Sequence, residues 1–74
     1  MLHEKLKKFL TEHGIKQTFL AEKLNLPDYA ISDMLSGRRK IDAVEYYQIC
    51  KALRVDMEYF MEDELVESWN EFTS

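Results

Sequence analysis

Apolar residues recur along this chain at the spacing of short helices. Leu2, Leu6, Phe9 and Leu10 fall at i, i+4, i+7 and i+8 and make one face of a first helix, which Gly14 ends. From about Gln17 a second helix turns Leu20, Ala21 and Leu24 inward, and Asn25 follows where a left-handed C-cap residue is wanted. Pro27 bars continuation of that helix but suits the opening of a third, whose inward residues are Ile31, Met34 and Leu35 and whose end is Gly37. Asp42 and Glu45 have capping-box spacing, so a fourth helix follows with Tyr46, Ile49, Cys50 and Leu53 inward. A fifth starts near Asp56, and Met57, Phe60 and Met61 complete the core from it. No strand-like alternation, internal repeat or low-complexity linker interrupts the pattern. The fold class read from it is all-α, a compact five-helix bundle, because helices this short bury their faces by crossing one another.

Composition narrows the picture. With 74 residues, 46% hydrophobic and 32% charged, the chain has material for one core and length for one domain. Its one cysteine cannot form an internal disulfide, and Cys50 reads as a small buried hydrophobe in a reducing compartment. No uncharged run approaches the ~18 apolar residues of a membrane span, and Glu4, Lys5, Lys7 and Lys8 stand where a signal peptide would be apolar. The expected setting is soluble and cytoplasmic, with no membrane partner. The net charge of -4 is unevenly spread: residues 1–54 hold all 10 Lys and Arg against seven acids, whereas residues 55–74 hold seven acids and no base. A module of net +3 is thus followed by a segment of net -7.

The segments Gly14 to Leu26 (GIKQTFLAEKLNL), Ala30 to Lys40 (AISDMLSGRRK) and Tyr46 to Asp56 (YYQICKALRVD) together resemble the Cro and phage-repressor type of helix-turn-helix, the XRE family. The resemblance runs from Leu6 to Phe60. It implies a lambda-repressor-like DNA-binding domain over residues 1–62, with residues 63–74 as an acidic C-terminal extension, helical and suited to dimerisation or packing. It also implies a second helix opening with Gln17 beside the DNA backbone and a third that enters the major groove. The outer residues of that third helix, Asp28, Tyr29, Ser32 and Asp33, are the base-edge candidates. Lys16, Gln17, Arg38, Arg39 and Lys40 are the phosphate candidates, the last three forming the chain's one run of three bases. Asp28 and Asp33 depart from the family habit of neutral or basic residues here. Carboxylates suit a helix N-terminus but are repelled by phosphates, and they read bases mainly by accepting from cytosine N4. Arg54 departs too, standing where a glycine usually ends the fourth helix.

Other chemistry finds little footing. His3 and His13 fall on different faces of one helix with no second ligand cluster, so they read as surface residues and no metal or cofactor is expected. Nothing resembles a nucleophile elbow or a phosphate loop, and a domain this small has no deep water-excluded pocket, so an enzyme is not expected. Tyr46 and Tyr47 read as core and rim of the fourth helix. In the extension, Leu65, Trp69 and Phe72 continue the stripe of Met57 and Met61 beyond the usual end of such a domain. They fold back on their own domain, join a second copy or meet a partner protein through the acidic segment. The reading is a sequence-specific, double-stranded-DNA-binding transcriptional repressor acting as a homodimer. The alternative is a protein-interaction module, such as an antitoxin or a phage-type antirepressor, with weak DNA binding.

Overall fold

A computed structural model describes residues 1–60 of the chain. Four helices, α1 (Leu2–His13), α2 (Gln17–Leu24), α3 (Asp28–Ser36) and α4 (Ala43–Leu53), are followed by helical residues 58–60, which open a fifth. There is no strand among the described residues. Helix α3 packs on both α1 and α2, and α2 packs in turn on α4. Every helix supplies the centre: Leu6, Leu20, Ile31, Met34, Ile49 and Cys50 are all but sealed from water. The inward residues expected of α1 to α4 are found there, with Leu2 and Phe9 only partly buried. Ala30, whose small side chain gave no periodic signal, is also buried.

All four helices close in one way. Gly14, Asn25, Gly37 and Arg54 adopt left-handed backbone, with φ of 65°, 56°, 83° and 59°. The next residue then donates its N–H to the carbonyl five positions back: Ile15 to Leu10 (2.9 Å), Leu26 to Ala21 (2.9 Å), Arg38 to Asp33 (2.9 Å) and Val55 to Cys50 (3.0 Å). This is the Schellman closure, which satisfies carbonyls the helix itself leaves open. Ile15, Leu26 and Val55 lie against the hydrophobic core, the contact that ordinarily accompanies the motif. At the end of α3 the equivalent pair is charged instead, Arg38 with Asp33.

Two expectations need correction. Met57 does not finish the core, since its side chain is 42% exposed. It lies in the turn before residues 58–60, and its carbonyl rather than its side chain is the anchor, accepting from the Tyr46 hydroxyl. Phe60 does enter the core; its ring meets Phe9 edge-on, with centroids 5.4 Å apart, and its carbonyl accepts from Lys5 Nζ at 3.2 Å. Met61, also expected inside, lies outside the described residues. The second correction is His3, whose side chain is only 23% exposed because its ring lies over Gly37. His13 is exposed as expected and stacks on Phe9, with centroids 4.1 Å apart.

The caps generate the first prediction. A non-glycine residue pays about 1–2 kcal/mol for left-handed backbone. Arg54→Gly should therefore stabilise the domain by about 1 kcal/mol, raising its melting temperature by roughly 4–8 °C. Ala at Gly14 would meet no neighbouring atom, whereas at Gly37 its Cβ would lie 2.9 Å from the His3 ring. Both substitutions should lower the melting temperature, Gly37→Ala by more, and His3→Ala should recover part of the difference. Cys50 gives a second test. Burial pushes its thiol up from the ordinary 9.0, a hydrogen bond with Tyr46 offsetting part of the effect. The thiol thus stays protonated and shielded through neutral pH, and an alkylating reagent at pH 8 should label it only at the rate at which the domain opens. Labelling of the folded protein at the rate of a free thiol would contradict this.

Candidate nucleic-acid interface

Helix α3 has two unlike sides. Ala30, Ile31, Met34 and Leu35 are buried, and their burial leaves Asp28, Tyr29 and Ser32 facing water. Tyr29 is the most projecting of these, at 71% exposed. Asp33, the fourth base-edge candidate, is half-buried at the flank. Lys16 and Gln17 are exposed at the opposite end of α2, Lys16 as its N-cap and Gln17 as its first residue.

The starts of α2 and α3 are alike in one respect that bears on anions. Neither N-cap residue, Lys16 or Pro27, makes a side-chain capping bond. Pro27 stands at the N-cap rather than inside the helix, with φ -68° and ψ 155°. Asp28, in the first turn of α3, is the acid that complements that helix's dipole.

The loop from α3 to α4 is held by side chains. The Asp33 carbonyl accepts from Arg38 N–H (2.9 Å), Arg39 N–H (3.1 Å) and Ser36 Oγ (3.1 Å). Arg38 turns back over this knot, its Nε donating to Ser36 Oγ at 3.1 Å and lying 3.9 Å from Asp33 Oδ1. Arg39 Nη2 donates to Glu45 Oε2 at 2.8 Å. The other oxygen of Glu45 accepts from Asp42 N–H at 3.1 Å, while Asp42 Oδ1 accepts from Glu45 N–H at 2.7 Å. The capping box at α4 is thus extended through one carboxylate to Arg39. The three bases of the run are therefore not equivalent: Arg39 is committed to Glu45, Arg38 is partly engaged with Asp33 and Ser36, and Lys40 stands in solvent.

The structure brings Arg38 and Asp33 together, although the sequence suggests different tasks for them, and keeps Lys16 and Gln17 on a separate helix start. Ser36, Glu45 and His3 act on this loop without having been read as doing so. Glu45 carried a signal, its capping-box spacing, but nothing local to the sequence says what its second oxygen meets. Leu65, Trp69 and Phe72, the dimerisation candidates, lie outside the described residues.

An exposed helix face, beside uncapped helix starts and a basic loop, is what a major-groove reader needs. A family model for helix-turn-helix proteins, of the Cro/C1 type or XRE family, matches residues 6–60. The chain belongs to that family. The protein is a DNA-binding regulator of the XRE type. The family is a regulatory one rather than an enzymatic one. Comparison with curated proteins and with solved structures found no match. Among the described residues no helix is long and apolar enough to cross a membrane.

The Arg39–Glu45 contact supplies the third prediction. In a double-mutant cycle of Arg39→Ala and Glu45→Gln read by thermal unfolding, the two losses should fall short of additivity by about 0.5–1 kcal/mol. The modest figure reflects the half-exposed guanidinium. Strict additivity would mean that the pair contributes nothing to holding the loop.

Proposed function

We propose that the protein is a sequence-specific repressor that binds its operator as a homodimer, one α3 helix entering the major groove of each half-site. The observation that carries this reading is the face of α3, where Tyr29 and Ser32 project from a helix fixed by four buried neighbours. On this reading Tyr29, Ser32 and Asp28 meet base edges, with Asp33 at the margin. Lys16, Gln17, Arg38 and Lys40 meet phosphates, and Arg39 does so to the extent that it leaves Glu45.

The pairing of Asp33 with Arg38 supports DNA binding over the interaction-module alternative, since one of the two acids that argued against phosphate proximity already has a cation beside it. A homodimer follows from size. One such module covers too little DNA for tight specific binding, whereas a two-fold pair doubles the contacts and fixes half-sites about 34 Å apart. Repression needs no further machinery, because an occupied operator excludes other proteins from the same DNA. A regulator of this kind works in the compartment that holds the DNA, and its chemistry calls for no cofactor.

The deciding experiment is selection of bound duplexes from a random pool, expected to return a two-fold symmetric motif. Failure to enrich any motif would count for the interaction module. With the selected site, Lys40→Ala should weaken binding to all sequences alike and reduce the salt slope by about 1. Asp33→Ala should relax preference at one base position by about 1–3 kcal/mol if its carboxylate reads a cytosine. A uniform change across all positions would show that Asp33 only holds Arg38 in place.

A further inference from the structure

A groove of about 590 Å³ runs between α2 and α4, lined chiefly by Phe19, Lys23, Tyr47, Lys51 and Arg54 and by no acid. Two of its three cations lie over its aromatic rings. Lys23 Nζ is 5.5 Å from the Phe19 centroid and Lys51 Nζ 5.9 Å from that of Tyr47. The rings stay in water nonetheless, Phe19 at 37% and Tyr47 at 50% exposed. Lys23, Lys51 and Arg54 form no ion pair among the described residues. None of these residues lies on the exposed face of α3 or in the loop after it, so the DNA reading leaves the groove without a task.

Residues 61–74 have the opposite character. They carry five acids, Glu62, Asp63, Glu64, Glu67 and Glu71, and no Lys or Arg, while Leu65, Trp69 and Phe72 recur at i, i+4 and i+7. We propose that the α2–α4 groove seats residues 61–74 of a second copy of this chain, the two copies exchanging these segments reciprocally. The proposal rests on the homodimer reading and assigns it a surface.

Charge complementarity is the main argument. An acidic segment with an apolar stripe meets three cations set around two half-exposed rings, the arrangement in which an amphipathic helix lies in a groove with its acids at the rim. Length agrees: fourteen residues suffice to run along α4, whose 11 residues span about 16 Å. A second copy, rather than the same chain, is taken from the homodimer reading, which needs a contact between copies. Reciprocal exchange fills both grooves and closes the assembly at two copies.

The test uses full-length chains and sedimentation velocity. One variant reverses the groove (Lys23→Glu with Lys51→Glu) and the other reverses the segment (Glu67→Lys with Glu71→Lys). Each alone should dimerise at least about tenfold more weakly than the wild type, because like charges then face each other. An equimolar mixture should return to dimer mass, since both reciprocal contacts become complementary again. A mixture that stays at monomer mass would overturn exchange between copies and point to each segment lying in its own groove. If the wild type dimerises and the reversed groove does so equally well, the groove assignment fails while the homodimer stands. The same holds if the reversed groove loses only DNA affinity, which would make it a phosphate surface. A monomeric wild type would remove the homodimer reading itself. Should the reversed groove fail to fold by circular dichroism, the Lys23→Gln with Lys51→Gln pair replaces it. That pair should also weaken the dimer, and unchanged dimerisation would overturn the proposal.

Discussion

Where each helix stops is decided by a peptide N–H reaching back five residues across a left-handed cap, and the rest of the domain depends on those four stops. The closure at Asn25 and Leu26, with Pro27 after it, turns the chain from α2 into α3 and so sets the tilt of the exposed face of α3. Closure at Gly37 starts the basic loop, and closure at Arg54 turns the chain toward Phe60. Helices of eight to twelve residues are marginal alone, so their ends and buried faces have to agree. Here they do agree, since the residue after the cap is itself apolar and core-facing at three of the four ends.

The exception shows how a helix bearing acids is accommodated beside a basic loop. Ending α3 with a charged pair in place of an apolar one gives up a little burial at that corner. In return it sets a guanidinium 3.9 Å from the carboxylate nearest the loop. Asp28 is accommodated differently, at the positive end of the helix dipole. Arg39 is drawn the other way, into the capping box of α4, so the local field is less positive than the sequence of three bases suggests. The loop gains rigidity at the expense of free charge.

Much of this was legible in the sequence. Helix positions, their inward residues, the left-handed role of Asn25 and the capping box at Asp42 all follow from short-range spacing, which a linear pattern records faithfully. The outward set on α3 follows too, because burial of Ile31, Met34 and Leu35 leaves little choice. What the sequence hid involves contacts between elements. His3 and Gly37 are 34 positions apart, and a histidine near a chain start carries no signal that it will cover a glycine. Met57 misled for the converse reason: its spacing fits the stripe, but it sits in a turn, where helical periodicity does not yet apply. The commitments of Arg38 and Arg39 were hidden because a run of like charges shows its sum and not its partners.

The seat of His3 on Gly37 has a practical side. The first turn of α1 is a prop for the loop that leads out of α3. A bulky group attached to that turn crowds a contact already wedged against the loop. Whatever is attached to the first turn of α1 is thus felt at the loop after α3, and labels intended to leave that loop undisturbed belong elsewhere on the chain.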